Sequence, residues 1–487
     1  MKKNLLFYSV LLLLSAACIY LALLTGAKLE SRNASQPGQA SQDRQRANTA
    51  VSAAQPERTS DKIGNALREN LKQPLAVLLL QVVVILIASR LISRLFSKIG
   101  QPSVIGEMVA GIILGPSLLG MLFPGTMSFI FPDSSLGTLR SLSQIGVILF
   151  MFIVGTDINA HHLRDKARAA VIISHTSIVI PFLLGIIASQ FIYSSFAPPQ
   201  VSFISFALFM GVAMSITAFP VLARIIDERG MNSSYLGNMS IACAAVDDVT
   251  AWCILATVIA IAKMNGMVLS AVTILLALAF TATMLFLVRP RLERLIGDGA
   301  GKNSSGVLAW ALIIALLSAY ITDAIGIHAL FGAFLAGAVM PATNTVRSFL
   351  RDKIAAFSST ALLPLFFAFT GLRTQVALLN DWQGWLVCAG IIAVAIAGKL
   401  GGGMLAARWS GMSWSDAISI GVLMNTRGLM ELVVLNIGYD LGILSGRIFA
   451  IMVLMALVTT CMTGPLLSLI EFVTGKELVK EHPVKIA

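Results

Sequence analysis

Ser215-Ile216-Thr217-Ala218-Phe219-Pro220 lies deep inside one apolar run, and Met424-Asn425-Thr426-Arg427-Gly428 lies midway through another. A proline in a helix interior removes a backbone donor and frees carbonyls. The second segment interrupts its run with polar residues and a glycine. Irregular backbone at membrane depth is tolerated only where it lines a cavity or is covered by protein. If the runs around these segments cross a bilayer, the two breaks mark an interior site. A simple proline kink accounts for the first break but explains the pairing poorly.

The rest of the chain has the composition such a reading needs. Of 487 residues, 57% are hydrophobic and only 12% are charged, with a mean hydropathy of +0.85. A soluble domain carries about twice that charged fraction. Apolar runs near twenty residues recur along nearly the whole length, each long enough to cross a bilayer as a helix. Barrel strands need only about ten alternating residues. The fold class is therefore an all-α polytopic membrane protein. The net charge of +11 does not point to nucleic acid, because Lys and Arg collect at helix ends. Cys243, Cys253, Cys388 and Cys461 lie inside apolar runs without metal-ligand or disulfide spacing and read as packing residues.

Residues 1–27, with Lys2 and Lys3 before an apolar stretch, read as a signal anchor or signal peptide, the length favouring an anchor. Residues 28–74 are rich in Ser, Gln, Ala and Arg and read as a disordered extracytoplasmic linker. A helical unit of thirteen spans occupies 75–475. The spans are placed at 75–95, 104–122, 141–157, 169–194, 202–225, 235–262, 267–288, 306–325, 328–341, 354–372, 384–408, 416–438 and 447–472. A short tail, 476–487, follows, so no appended regulatory domain is expected. Alternate loops carry most of the basic residues, from Arg90, Arg94 and Lys98 through Arg289, Arg291 and Arg294 to Lys476 and Lys480. The opposite loops hold little beyond Arg140, Lys263, Arg373 and Arg447. By the positive-inside rule the C-terminus is cytoplasmic and the linker outside. Two sets of six spans around a central seventh put each break in the fifth helix of its set. That is the sequence sign of inverted repeats with an ion site at the midplane.

Ionisable residues in mid-span suggest function. Ala244-Ala245-Val246-Asp247-Asp248-Val249-Thr250 places adjacent carboxylates inside the span 235–262. Neighbours on a helix point about 100° apart, so one can face a cavity and the other a neighbouring helix. Burial and mutual repulsion both disfavour two charged carboxylates side by side. At least one Asp is then able to exchange a proton for a metal cation. A structural pair satisfied by hydroxyls and amides is the plainer alternative. Lys399, near the middle of 384–408, is expected to pair with one aspartate, the alternative being a reach to the interface. Glu107, Gln144, Asp157 and Glu431 are weaker candidates for the cavity or the interfaces, and His175 and His328 read as packed neutral histidines.

With these residues in view the chain resembles the cation:proton antiporter superfamily, specifically its second branch of sodium/proton and potassium/proton exchangers, over about residues 75–472. The resemblance rests on Ile105-Gly106-Glu107 with Gly111-Ile112-Ile113-Leu114-Gly115-Pro116, the Thr217-Ala218-Phe219-Pro220 break, Asp247-Asp248, Gly326-Ile327-His328-Ala329-Leu330-Phe331-Gly332-Ala333-Phe334, and Lys399. Met424-Asn425-Thr426-Arg427-Gly428-Leu429-Met430-Glu431-Leu432 looks most like the plant-type cation/proton exchangers, which usually carry Asn where Asp247 stands. The resemblance implies a sodium/proton antiporter-like fold with inverted repeats and two crossed, interrupted helices, and a homodimer with scaffold and moving core. It implies Asp248 as the ion- and proton-binding carboxylate, Asp247 as the first acid of the paired-Asp electrogenic members, and Lys399 as salt-bridge partner. Thr217 and Ala218 match the unwound site. Asn425, Thr426, Arg427, Glu431 and Glu107 are expected as cavity-lining residues.

The function expected is Na+ or K+/proton antiport in the bacterial inner membrane, a secondary active transporter without cofactor. Proton and cation would compete at the Asp pair through alternating access. Two acids and one lysine would suit two protons per cation. A pH-regulated K+ channel or uniporter would share the pore chemistry without needing a protonatable site. An intramembrane aspartyl protease needs its two aspartates on separate helices, which adjacent residues cannot supply.

Overall fold

The computed structural model describes residues 70, 73–157, 167–231, 234–263, 267–296, 304–326, 328–341 and 343–475. The expected anchor (1–27), nearly all of the linker and the tail (476–487) lie outside the described residues. The described chain is built from helices: α1 (Pro74–Lys98), α2 (Ser103–Leu114), α3 (Asp133–Asp157), α4 (Ala167–Phe196) and α5 (Phe203–Ser215). Then come α6 (Phe219–Glu228), α7 (Tyr235–Lys263), α8 (Met267–Thr283), α9 (Ser304–Ile325) and α10 (Ala329–Ala338). The last five are α11 (Leu363–Arg373), α12 (Trp382–Trp409), α13 (Trp414–Met424), α14 (Leu429–Asp440) and α15 (Gly446–Thr474). Helix α8 continues through a π-helical turn, Met284–Val288, into Arg289–Ile296. Two more π turns, Arg351–Ala355 and Ser358–Leu362, lead into α11.

Ten of the thirteen expected segments coincide with helical stretches long and apolar enough to cross a membrane. Segment 416–438 falls on α13 and α14, which meet at a 41° bend, and 202–225 falls on α5 and α6. Segment 328–341 holds only the ten-residue α10, about 15 Å long and too short to cross alone. Helix α3 begins at Asp133 rather than 141, because its first two turns are helical but polar and hydropathy reads only polarity.

Helix α12 fixes the scale. Its 28 residues span about 42 Å, the thickness of a bilayer with its headgroups. Exposed Trp382 and Trp385 stand at one end and exposed Trp409 and Trp414 at the other, an aromatic belt at each interface. The upper face holds the starts of α1, α5, α12 and α15 and the end of α14. The lower face holds the ends of α1, α6, α12 and α15 and the start of α13. Helix starts at these faces are capped: Oγ of Ser202, Ser413 and Ser445 and Oδ1 of Asp381 each accept an N–H of the first turn.

Two packing groups make up the bundle. Helices α1, α2, α3, α9, α10 and α11 pack on one another, as do α4, α5, α6, α7, α12, α13, α14 and α15. Close backbone approach joins the first group. A Cβ on Gly337 of α10 would lie 1.9 Å from the Phe152 carbonyl of α3, and one on Gly371 of α11 would lie 2.5 Å from the Ile112 nitrogen of α2. Small residues at such contacts replace the hydrophobic drive that lipid cannot supply.

Candidate functional site

Helices α5 and α6 descend from the upper face to the lower, whereas α13 and α14 rise from the lower to the upper. Both pairs break at mid-depth, so two helix C-termini and two N-termini meet there in inverted orientation. The backbones touch: the Ala218 N–H donates to the Thr426 carbonyl at 3.0 Å. The Thr217 hydroxyl donates to the Met424 carbonyl at 3.0 Å. A helix C-terminus presents unpaired carbonyls and negative potential, an N-terminus unpaired N–H groups and positive potential.

Each kind of end meets its complement. The last carbonyls of α5 are taken by two buried cations. Arg427 donates to Ala213 O at 2.8 Å and to Met214 O at 2.7 Å, and Lys399 donates to Ser215 O. At the start of α6, the Thr217 N–H donates to Asp247 Oδ2 at 3.0 Å. The buried Glu431 sits in the first turn of α14, where a negative charge is favoured.

Asp247 and Lys399 form a fully buried ion pair at 2.9 Å. Ser174 of α4 donates to Asp247 Oδ1 at 3.1 Å. Ser177 of α4 contacts Lys399 Nζ twice, through its carbonyl at 3.0 Å and its hydroxyl at 3.1 Å. The free carbonyl has a cause in the sequence. Pro181 lies inside α4 four residues later and lacks the N–H that would have bonded Ser177 O.

Asp248 is also buried, but neither of its oxygens has a hydrogen-bond partner. The Phe219 N–H that opens α6 lies near it, short of hydrogen-bond geometry. The contrast with Asp247, which is held by a lysine, an amide and a hydroxyl, is the main chemical feature of the site. Arg427 and Glu431 approach to 3.2 Å as charges, yet both Glu431 oxygens lack a hydrogen bond, as do both polar side-chain atoms of buried Asn425. The Arg427 backbone is held by the Thr460 hydroxyl of α15, at 3.1 Å to its N–H and 2.8 Å to its carbonyl. The Thr426 and Thr463 hydroxyls lie 3.4 Å apart.

The crossing thus brings together Asp247, Asp248, Lys399, Thr217, Ala218, Asn425, Thr426, Arg427 and Glu431. Glu107 is half-buried on α2, in the other packing group. Gln144 and His328 line a small cavity near the upper face. His175 bonds the Val171 carbonyl of its own helix at 2.9 Å, and His328 caps α10 by accepting from the Leu330 N–H at 3.4 Å. The side chain of Asp157 lies outside the described residues. Ser174, Ser177 and Thr460 were missed in the sequence. Ser174-His175-Thr176-Ser177, a polar cluster four residues before a proline in an apolar run, was the signal.

Comparison with known proteins agrees with this architecture. Residues 82–472 match the model of a family described as sodium/hydrogen exchanger, transmembrane. The Na(+)/H(+) antiporter NhaS4 of Synechocystis is 44% identical over 395 residues, covering 80% of this chain and 96% of that protein. Cation/H(+) antiporter 17 of Arabidopsis thaliana is 39% identical over 414 residues, covering 84% of this chain and 50% of its own length. The chain therefore spans nearly all of the cyanobacterial relative and about half of the plant one. The solved structure of the sodium proton antiporter MjNhaP1 from Methanocaldococcus jannaschii at pH 8 superimposes with a TM-score of 0.61 at 15% identity. It covers 84% of this chain and 100% of that one. Crossed broken helices, inverted orientation and family match converge on one statement: the chain belongs to the transmembrane sodium/hydrogen exchanger family.

Proposed function

We propose that this protein exchanges a monovalent cation, Na+ or K+, for protons, with Asp248 as the exchanging carboxylate. One observation carries the proposal: Asp248 is buried at the crossing with both oxygens unpartnered, beside an Asp247 whose partners are complete. A buried polar group without a partner calls for an explanation, and a carboxyl that takes a proton or a cation in turn provides one.

Charge balance supports the monovalent class. Asp247, Asp248 and Glu431 face Lys399 and Arg427 in one buried cluster, leaving one negative charge when all are ionised. One proton or one monovalent cation on Asp248 cancels it. Unbalanced charge at membrane depth is costly, so the ionised site without its cation is disfavoured from crossing between faces. That penalty couples the two fluxes. Moving two protons per cation requires a second group of the cluster, Lys399, Asp247 or Glu431, to change its proton as well.

In this reading the α4–α7 and α12–α15 group is the moving core and the α1–α3 and α9–α11 group the scaffold. The basic lower face is cytoplasmic in a bacterial inner membrane. The stripe of exposed Leu75, Leu79, Val83 and Ile87 on α1 is available to lipid or to a second copy in a homodimer. A channel or uniporter, the second reading, would pass cations without moving protons.

Reconstitution in liposomes with a trapped pH dye tests the proposal. Adding Na+ or K+ should dissipate an imposed proton gradient, and Asp248→Asn should abolish the response while the purified protein keeps its gel-filtration profile. Unaltered flux in the variant refutes the assignment, and cation flux independent of pH favours the channel.

A further inference from the structure

The two packing groups meet differently at the two faces. At the upper face, Asp440 ends α14, the broken helix that carries Glu431 of the crossing. Its carboxylate reaches Arg140 of α3 at 2.8 Å and also pairs with Arg373 of α11. One turn earlier Asn436 accepts from Arg373 at 2.9 Å and donates to Thr370 of α11 at 2.8 Å. The Arg373 guanidinium also lies 4.8 Å from the Tyr439 ring centre. The space left between the groups here is about 30 Å³, room for roughly two waters.

At the lower face the corresponding gap is about 500 Å³, bounded by Gln101 and Pro102 on one side and by Ile225, Arg229 and Gly464 on the other. Gln101 donates across it to the Cys461 carbonyl at 3.2 Å. That carbonyl is freed by Pro465, four residues on in α15.

We infer that Asp440, held by Arg140 and Arg373, is a latch that closes the upper face by tying the broken helix α14 to α3 and α11. This rests on the alternating-access reading above. The latch has a mechanical consequence, because α14 is rigidly continuous with the crossing. Any movement that opens the site upward must draw Asp440 away from both arginines, so the network sets the bias between the two states. The side chains of Arg373 and Asp440 are only 19% and 15% exposed, although Asp440 sits at an exposed end of its helix and Arg140 is 42% exposed. A network of several charges does more than an isolated surface pair. The groups facing Asp440 are the two arginines, with Asn436 and Tyr439 on its own helix.

Labelling of a cysteine placed at Ser143, a buried residue lining the upper cavity, reads the state of the latch without relying on transport. Full-length protein carrying Ser143→Cys is treated with a membrane-impermeant maleimide from the upper face, and labelling of the parent with its native cysteines is subtracted. Adding Asp440→Asn should speed the reaction about fivefold, and Asp440→Glu should restore the slow rate. Arg140→Gln, which keeps the Arg373 pair, should give an intermediate rate and serves if Asp440→Asn does not fold. Equal rates in all folded variants would overturn the latch. Cation-driven proton flux is followed in the same vesicles. Its absence from the parent refutes the antiport reading, whereas the labelling comparison judges the latch.

Discussion

On α7 two neighbouring carboxylates meet different surroundings because adjacent helix positions point about 100° apart. Asp247 faces α4 and α12, where Ser174 and Lys399 wait, and also takes the Thr217 N–H before α6, whereas both Asp248 oxygens stay without a hydrogen bond. The pair, the lysine and both breaks were legible in the sequence, because ionisable residues stand out in apolar runs. Which aspartate would be satisfied was not, since that depends on α4 lying beside α7, and the chain encodes this only through distributed packing. Removing one partner of a buried pair strands the other charge, which costs about 3–5 kcal/mol. Lys399→Ala should therefore lower the thermal unfolding midpoint strongly, and Lys399→Ala with Asp247→Asn should recover much of the loss. Additive losses would mean that the pair does not act as one unit. At the upper surface the Arg447 hydrogen bond holds the Asp381 carboxyl below its ordinary value of 3.8. A lowered native pKa contributes stability above the unfolded pKa and loses it as pH falls through the native one. The stability difference between the parent and Asp381→Asn should thus be constant near neutral pH and shrink only below about pH 4.

At the level of elements, hydropathy located the helices well and their ends poorly. The polar first turns of α3 read as loop, and the shortness of α10 was hidden because Gly337 and its neighbours continue the apolar run. The glycine motifs of α2 and of the segment around α10 were legible as motifs, but their role as backbone contacts appears only where two helices meet. That role makes an element-scale prediction. A Cβ at Gly337 would lie 1.9 Å from a backbone oxygen, whereas one at Gly401 of α12 meets nothing within 4 Å. Gly337→Ala should separate α3 from α10 and destabilise by about 1–3 kcal/mol. Gly401→Ala should be neutral or stabilise by up to about 1 kcal/mol. Thermal unfolding in detergent distinguishes them, and equal midpoints would contradict the packing account. Pro181→Ala follows the same logic: a restored N–H competes for Ser177 O, so transport should fall without loss of the helix.

For the whole molecule, charge distribution carries the sidedness. Arg90, Arg94 and Lys98 are exposed at the end of α1, on the face that the proposed orientation puts in the cytoplasm. Arg140, Arg373 and Arg447, the described basic residues of the opposite loops, are all paired with Asp440 or Asp381. Those acids stand in the same loops of the sequence, so the neutralised face was legible there, but which acid meets which arginine was not. A cysteine at Asn380 should be labelled by an impermeant reagent on intact cells and one at Lys98 only after permeabilisation; the reverse pattern would invert the orientation. The central claim is that proton and cation compete for Asp248, and proton release on cation binding tests it most directly. Purified protein in weak buffer with a pH indicator should release protons when Na+ or K+ is added. Apparent affinity should weaken up to tenfold per unit of falling pH, and Asp248→Asn should release none. Cation binding without proton release, or release that persists in Asp248→Asn, would contradict the account.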